Sequence, residues 1–208
     1  FADSDDALDP DYTQNLVQAA LEHNADLVIA PYWMVIPSNS SKTGHALETL
    51  QTSLGIEPEA PKTEVHKYGF LPQGVYSRED YARRLMQQPA SFYYGVLWNK
   101  IFRGDIIRQH DLRFTSGLHW GEDFVFVMQY LEHAERMSYI TTPVYDYFRN
   151  PNGAVVRQLV NCFRHPIVSI QARLTVYRSY EQLYRVRGLY DQYKRILWRY
   201  LFRFTLRN

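Results

Sequence analysis

Three acidic side chains, Asp3, Asp5 and Asp6, stand within the opening stretch FADSDD. The Phe-Ala before them is typical of a strand end, and Asp9-Pro10 after them of a helix start. We therefore expect these carboxylates on a loop at the carboxyl edge of a sheet, where open α/β folds bind ligands. Converging carboxylates repel one another unless a cation lies between them, and Mg²⁺ or Mn²⁺ prefers such oxygen ligands. The structural alternative is an exposed acidic turn with an N-cap.

A second acidic pair, Glu122 and Asp123, follows His119 and Trp120 at the predicted start of an apolar helix. Carboxylates in the first turn interact favourably with the helix dipole, which is the structural interpretation of this pair. The functional interpretation is that the neighbouring Trp and His desolvate one carboxylate enough for it to act as a general base.

Two further groups carry polar chemistry. Trp98, Asn99 and Lys100 bring an aromatic ring, an amide and an ammonium together on one short element. Arg149 and Arg157 are potential phosphate partners, because guanidinium geometry suits phosphate oxygens. The structural alternatives are a core Trp, a solvated Lys and ordinary surface arginines.

The elements that must position these residues alternate along the chain. We predict, in order, a helix from Asp9 to Asn24, a strand over 27–30, a surface excursion over 37–63, a helix capped by Ser77 with Asp80, an extended 96–102, a helix over 105–110, a helix over 122–135, strands over 137–140 and 144–148, and continuous helix after Gly153. Helices alternating with strands predict an α/β fold.

Length and composition narrow the class further. A chain of 208 residues with 46% hydrophobic and 15% aromatic content can bury a core as one domain, or as one domain with an appendage. No run of apolar residues reaches the length of a membrane-spanning helix. The single cysteine, Cys162, excludes an internal disulfide framework and is typical of a reducing compartment.

Charge is distributed unevenly although the net charge is only +1. From position 155 to the end, eleven Lys or Arg stand against two acidic residues, and Arg195, Arg199, Arg203 and Arg207 form one stripe at helical spacing. With Trp198 and its bulky neighbours, this pattern is one that an amphipathic helix at an anionic membrane surface can have. A helix packed on the domain with its arginines outward is the alternative, and nucleic acid is disfavoured because no binding module accompanies the charge.

The order of the motifs is more specific than any one of them. The series F-A-D-S-D-D, A-D-L-V-I-A, G-V-Y-S-R-E-D-Y, L-W-N-K-I-F-R, L-R-F, G-E-D-F-V-F and Y-I-x-x-P-V-Y-x-Y-x-R-N-P-N resembles the family 2 inverting glycosyltransferases, above all the bacterial enzymes that build capsular, exopolysaccharide and cell-wall glycans. The resemblance runs from Phe1 to about Gly153 and implies a partial GT-A fold over 1–153, followed by a basic helical segment over 154–208.

The resemblance also implies roles for the residues. Asp3 and Asp5 match the D-x-D that holds Mg²⁺ or Mn²⁺ and the donor diphosphate, and Asp6 matches the acidic residue after it. Asp123 matches the base that deprotonates the acceptor hydroxyl, with Glu122 beside it. The implied substrate-binding residues are Asp6, Trp98, Asn99, Lys100, His119, Trp120 and Arg149.

The family's nucleotide-binding segments, of the P-x-Y-N, D-D-G-S and N-x-G-x-x-x-A-R-N types, do not occur in this sequence. We therefore expect the sequence to start inside the enzyme and, taken alone, to be inactive and prone to self-association. The implied partners of the intact enzyme are a nucleotide-sugar donor and a glycan or lipid-linked acceptor, with a cytoplasmic location at the inner face of the membrane. A non-catalytic carbohydrate-binding or assembly module and a metal-dependent phosphoesterase are the competing hypotheses.

Overall fold

The computed structural model of the protein describes residues 1–37, 63–88, 91–116, 118, 121–149 and 166–202. These residues form eight strands and seven helices. The strands are β1 (Ala7–Leu8), β2 (Leu27–Ile29), β3 (Tyr32–Pro37), β4 (Thr63–Tyr68), β5 (Gly74–Ser77), β6 (Lys100–Phe102), β7 (Arg136–Tyr139) and β8 (Tyr145–Phe148). The helices are α1 (Tyr12–Glu22), α2 (Arg78–Leu85), α3 (Phe92–Gly95), α4 (Gly104–Gln109), α5 (Glu122–Leu131), α6 (Pro166–Val186) and α7 (Tyr190–Phe202).

The first sheet has the strand order β5-β7-β2-β6 and is built around the apolar strand β2. All three residues of β2 are buried, as expected for an apolar run with a neighbouring strand on each side. β2 pairs parallel with β7 and antiparallel with β6, which places Ile29 beside both Tyr139 and Lys100. This register fixes the position of the W-N-K element at the edge of β2.

The second sheet has the order β1-β8-β3-β4. β3 pairs parallel with β8 and antiparallel with β4, while the two-residue strand β1 pairs antiparallel with β8. Ala7 lies opposite Asp146 and Leu8 opposite Tyr145. This short pairing holds the acidic stretch that precedes β1 against β8. The two mixed sheets with their helices confirm the predicted α/β class.

Local sequence signals explain how two of the helices begin. The predicted capping box is confirmed, because the Asp80 N–H donates to Ser77 Oγ at 3.2 Å at the start of α2. The prediction that Asp9 caps the first helix is wrong. Asp9 Oδ1 accepts a hydrogen bond from the Asp11 N–H at 2.9 Å within the preceding turn, and α1 begins at Tyr12.

The predicted extended segment over 96–102 is shorter in the structure. Only Lys100–Phe102 forms a strand, because the chain turns just before it and the Lys100 N–H donates to the Leu97 carbonyl at 3.1 Å. The turn contains Trp98 and Asn99, so both residues leave the sheet and enter the core.

The C-terminal helical prediction is confirmed in type but not in continuity. α6 and α7 are separated at Gly188, whose φ of +67° lies in the left-handed region that glycine favours at helix ends. α6 packs against α5, with the rings of Phe124 and Tyr180 5.1 Å apart, and Leu197 of α7 is fully buried in the same core. The division at 153 and 154 stays a prediction.

Two sequence predictions lie outside the described residues. The surface excursion falls mostly on 38–62, although its flanks pair directly, with Pro37 opposite Thr63. Cys162 lies outside them as well.

Candidate active site

Helix α5 carries Glu122 and Asp123 in its first turn. Gly121 precedes the helix with a φ of +81°, a conformation that glycine adopts without the strain a side chain would bring. Val125 N–H donates to the Gly121 carbonyl at 2.9 Å and closes the first turn. The chain therefore enters the helix through a glycine turn that directly precedes both carboxylates.

Asp123 is only partly exposed, and burial raises the pKa of its carboxyl to about 6. The negative charges of Glu122 and Asp3 add to this rise, whereas the positive charge of Lys100 opposes it. A carboxylate stabilised chiefly by the helix dipole would have a lowered pKa instead. A carboxyl with a pKa close to the working pH is suited to general-base chemistry.

Asp3 brings the opening acidic stretch to the same place. Burial raises the pKa of Asp3, and the charge of Asp5 raises it further, so these two carboxylates lie close together. The charge of Asp3 also raises the pKa of Asp123, and the ring of Phe1 contacts that of Phe126 on the helix of Asp123, with centroids 6.0 Å apart, so the two acidic clusters predicted from the sequence face one region. We call Asp3, Asp5, Glu122 and Asp123 the acidic site.

Asp6 anchors the loop beside the acidic site. Its Oδ2 accepts a hydrogen bond from the Tyr145 hydroxyl at 2.8 Å, and its Oδ1 accepts one from the Phe148 N–H at 2.9 Å. The Tyr145 hydroxyl also accepts a hydrogen bond from the Asp3 N–H at 3.0 Å. Burial raises the pKa of Asp6, and the hydrogen bonds from Phe148 and Tyr145 oppose that rise. With both oxygens engaged, Asp6 ties the loop to β8 and is not a helix cap.

Trp98 forms an aromatic floor and does not face solvent. Its indole stacks on the Tyr145 ring, with centroids 4.4 Å apart, and on the Tyr147 ring at 5.4 Å, both at an interplanar angle of 11°. Tyr32 meets the same indole edge-on at 4.6 Å. Only 3% of Trp98 is exposed. Its burial argues against the predicted substrate contact and for a role in positioning Tyr145.

Asn99 and Lys100 are also enclosed. The Lys100 ammonium donates to the carbonyls of Tyr93 at 2.9 Å and Val96 at 2.6 Å, and to Asn99 Oδ1 at 2.7 Å. The Asn99 amide donates to the carbonyls of Ala30 and Tyr93. A lysine has three N–H donors, and all three are used here. Lys100 therefore has no N–H group left to donate to a substrate, as its predicted contact would require.

Lys100 nevertheless contributes to the field of the acidic site. Burial lowers the pKa of Lys100 well below its usual value, and the negative charge of Asp123 opposes this effect. The ammonium thus lies within electrostatic reach of Asp123 and supports that carboxylate from inside the core.

Arg149 directly follows β8. Its N–H donates to the Val35 carbonyl at 2.9 Å, and its side chain is exposed. Burial raises the pKa of Tyr147, the charge of Asp6 adds to the rise, and the charge of Arg149 opposes it. The guanidinium therefore acts electrostatically on Tyr147 of the aromatic floor.

Like Cys162, five further residues singled out from the sequence lie outside the described residues: His119, Trp120, Arg157, Arg203 and Arg207. The substrate-binding roles of His119 and Trp120 and the phosphate contact of Arg157 stay predictions.

The carboxylates fit a divalent cation only in part. Among the residues that the structure describes, no three His, Cys, Asp or Glu side chains converge in a way that could hold a metal ion. Asp3 and Asp5 lie close together, but both oxygens of Asp6 are engaged elsewhere. Mg²⁺ is commonly held by one or two carboxylates together with substrate phosphates and water. Asp3 and Asp5 are therefore the carboxylates left for such an ion, and the metal stays a prediction.

Sequence reasoning assigned no role to Tyr145 and Tyr147, which join the acidic loop to the aromatic floor. The signal that could have found them is their alternate spacing on a predicted strand, which places both side chains on one face. It also missed an apolar wall beside the acidic site. The ring of Phe1 contacts the rings of Phe102, Phe114 and Phe126 with centroids 5.8–6.0 Å apart, and Phe126 lies on the same helix as Asp123.

The chain is similar in sequence to bacterial proteins named as glycosyltransferases. It is 29% identical over 149 residues to the putative glycosyltransferase EpsH of Bacillus subtilis (strain 168), across 71% of this chain and 36% of EpsH. It is 25% identical over 149 residues to the cholesterol galactosyltransferase of Borreliella burgdorferi, across 72% of this chain and 37% of that protein. No protein-family model matches.

The fold resembles that of a bacterial protein solved in complex with UDP-GlcNAc. A crystal structure of S. aureus TarS residues 1–349 in complex with UDP-GlcNAc superimposes with a TM-score of 0.51 at 15% identity, covering 86% of this chain and 41% of that one. At this identity the likeness concerns the fold alone.

These findings confirm the resemblance to bacterial glycosyltransferases and the partial GT-A-like fold that the motifs predict. The chain spans a little over a third of the length of the curated relatives it matches. In the part of the chain that the structure describes, no helix has both the length and the apolar character to cross a membrane.

Proposed function

We propose that the protein carrying this chain transfers a sugar from a nucleotide-sugar donor to a hydroxyl of a glycan or lipid-linked acceptor, with inversion at the anomeric carbon. The observation that carries the proposal is that the D-x-D loop meets the helix of Asp123: the Phe1 and Phe126 rings lie 6.0 Å apart, and the charge of Asp3 raises the pKa of the half-buried Asp123. The names of the sequence relatives support the transferase class. The fold shared with a domain solved with UDP-GlcNAc supports a nucleotide-sugar donor.

Asp123 is the proposed general base. It accepts the proton of the acceptor hydroxyl while that oxygen attacks the anomeric carbon, and the bond to the nucleoside diphosphate breaks on the opposite face of the sugar. Inversion follows from this single displacement, and no covalent intermediate forms. Positioned general bases typically contribute about 10²- to 10⁴-fold to the rate.

Asp5 and Asp3 are the proposed ligands of Mg²⁺ or Mn²⁺. A bound divalent ion offsets the negative charge that develops on a departing diphosphate. Arg149 is the proposed contact of a phosphate oxygen, which its exposed guanidinium and its position directly after β8 support. Trp98, Asn99 and Lys100 act as positioning residues beneath these groups.

A lipid-linked acceptor would require contact with a membrane, and α7 is the element we propose for it. Leu197 packs α7 into the core, while Arg195 and Arg199 are exposed on its outer side together with Trp198, half of which is exposed. One side of α7 therefore packs against the core, while another side presents basic residues to solvent. Anionic lipid attracts such a face, and Trp favours the interface.

The experiment that tests the function compares Asp5→Asn with Asp123→Asn in the full-length protein. A metal ligand acts on the donor, whereas a general base acts only on the acceptor proton. Asp5→Asn should weaken metal-dependent binding of the nucleotide-sugar in calorimetry and lower turnover. Asp123→Asn should leave donor affinity nearly unchanged and lower kcat by about 10²- to 10⁴-fold.

Asp105→Asn serves as the matched control, since Asp105 also lies in the first turn of a helix but is exposed and paired with Arg108. Its donor affinity and kcat should equal those of the wild type. If Asp123→Asn keeps more than about a third of kcat, far inside the general-base range, the base is another residue, and Glu122 and His119 are tested next. Sugar binding that ignores both metal and Asp123, without transfer, would favour the carbohydrate-binding alternative.

A further inference from the structure

A groove of about 400 Å³ lies on the sheet that contains β8, and none of the acidic-site residues lines it. Its volume falls within the roughly 300–1,000 Å³ typical of small-molecule sites. Six of its lining residues come from β1, β3, β8 and the connections beside them: Leu8, Asp9, Pro10, Trp33, Pro143 and Asp146.

The groove occupies the outer face of this sheet. Successive side chains of a strand point to opposite faces, so Trp33 and Val35 share one face of β3 while Tyr32 and Met34 share the other. Tyr32 is fully buried and Met34 packs against the same core. Trp33 and Val35 therefore line the groove from the face that is turned away from the core.

Trp33 and Asp146 stand side by side in this groove. They are register partners across the parallel pair of β3 and β8, so their side chains rise from the same face. The indole is 37% exposed, unlike the enclosed indole of Trp98. The register of β3 and β8 therefore places the exposed indole of Trp33 beside the carboxylate of Asp146.

The charge of the lining narrows the class of ligand. Among the described residues that line it, Asp9 and Asp146 are the charged ones, while the nearby Lys67, opposite Trp33 on β4, donates its ammonium to the Thr141 carbonyl. Two carboxylates disfavour a phosphate, a nucleotide or an anionic lipid. A neutral sugar matches the lining, because its C–H face can pack on an indole and its hydroxyls can donate hydrogen bonds to carboxylate oxygens.

We propose that this groove is a carbohydrate subsite that binds a neutral oligosaccharide, with Trp33 as the stacking platform and Asp146 as a hydroxyl acceptor. That the oligosaccharide is a remote part of the acceptor glycan rests on the proposed transferase function. Tyr145 links the two places, because it lines the groove while its hydroxyl bonds to Asp6 and to the Asp3 N–H. The groove and the acidic site thus lie on opposite faces of β8.

The test measures binding of maltotriose, cellotriose and chitotriose to the full-length protein by calorimetry, with glucose as the short probe. At least one trisaccharide should bind saturably, and Trp33→Ala should weaken that binding at least tenfold. Asp146→Asn should weaken trisaccharide binding several-fold. Trp33→Phe, which keeps an aromatic ring, should bind more tightly than Trp33→Ala. Leu21→Ala is the control, since it removes an exposed apolar side chain on a different element and should leave binding unchanged.

Binding is measured with the Asp123→Asn variant as well, so that the groove is tested apart from catalysis. Unchanged trisaccharide binding there, together with no detectable transfer by the wild type, would leave the subsite standing and overturn only the transferase function. No saturable binding of the three probes at millimolar concentration would overturn the subsite. A Trp33→Ala variant that binds normally but melts at a lower temperature would also overturn it, because the indole would then pack against protein.

Discussion

Asp3 and Asp123 lie within electrostatic reach of each other, and the charge of Asp3 raises the pKa of Asp123. Asp3 belongs to the loop before β1, whereas Asp123 belongs to the first turn of α5. Their approach depends on Tyr145, whose hydroxyl holds the loop by accepting from the Asp3 N–H and donating to Asp6. The predictions below test what this arrangement does to stability and to activity.

The first prediction concerns stability. The carboxyl of Asp123 has an ordinary pKa of 3.8 and a raised pKa of about 6 in the folded protein. The folded state therefore holds this proton more tightly, and its contribution to stability falls as the pH rises from about 4 to about 6. Allowing for partial exposure, Asp123→Asn should increase the free energy of unfolding at pH 7.5 by on the order of 1–2 kcal/mol.

Urea unfolding at pH 7.5 and near pH 4 measures this effect, and the gain should shrink at the lower pH. Asp105→Asn, the exposed control, should change the free energy by less than about 0.5 kcal/mol at either pH. An Asp123→Asn variant that is less stable at pH 7.5 would mean that the helix dipole dominates at this carboxylate.

The second prediction concerns the pH dependence of transfer. A general base must be ionised before it can accept a proton, so kcat should rise with pH and level off above the pKa of Asp123, at about 6. Initial rates at saturating donor and acceptor between pH 4.5 and 8 measure the profile. A rate that is constant across this range would argue against Asp123 as the base.

The third prediction concerns Lys100. Replacing it with Ala leaves the carbonyls of Tyr93 and Val96 and the Asn99 Oδ1 without their donor. Each buried acceptor left without its hydrogen-bond donor typically costs about 1–3 kcal/mol, so with three such acceptors we expect Lys100→Ala to cost at least about 3 kcal/mol. Lys67→Ala, which removes an exposed lysine bonded to the Thr141 carbonyl, should cost less than about 1 kcal/mol in the same urea titration. Equal costs for both variants would contradict the enclosed arrangement of Lys100.

The fourth prediction concerns the tether between the acidic loop and β8. Tyr145→Phe removes the hydroxyl that bonds to Asp6 Oδ2 and to the Asp3 N–H. We expect a loss of about 1–3 kcal/mol in stability and a higher KM for the nucleotide-sugar, because Asp3 is then less well held. Tyr94→Phe, which removes a hydroxyl bonded to the Arg84 carbonyl, is the control. An unchanged donor KM in Tyr145→Phe would show that the tether serves stability alone.

The fifth prediction concerns α7. Reversing the charge of Arg195 and Arg199 to Glu should weaken binding to vesicles rich in anionic lipid, since each basic residue near the surface contributes about 1 kcal/mol. Wild-type binding should also fall with added salt. Arg83→Glu with Arg108→Glu, the same charge change on α2 and α4, should bind like the wild type. Equal sedimentation of the wild type with neutral and anionic vesicles would favour packing as the only role of α7.

Several features follow from local sequence alone. The apolar run at Leu27 became a buried strand, and Ser77 with Asp80 formed the predicted capping box. These predictions succeed because hydrophobic periodicity and helix capping depend on neighbours close in the chain. The alternation of elements also indicated the α/β class, and the order of the motifs indicated the glycosyltransferase resemblance. The fold agrees with the first and the sequence relatives agree with the second.

Only the tertiary structure decided which of these residues can act. Trp98 and Lys100 were predicted to contact substrate, but the turn before β6 sends them into the core, where the indole stacks on Tyr145 and the ammonium has three acceptors. Asp3 and Asp123 gained their mutual effect from the pairing of β1 with β8 and from the packing of α5. Burial and long-range proximity depend on how distant elements pack, and a residue's own sequence neighbours do not encode them.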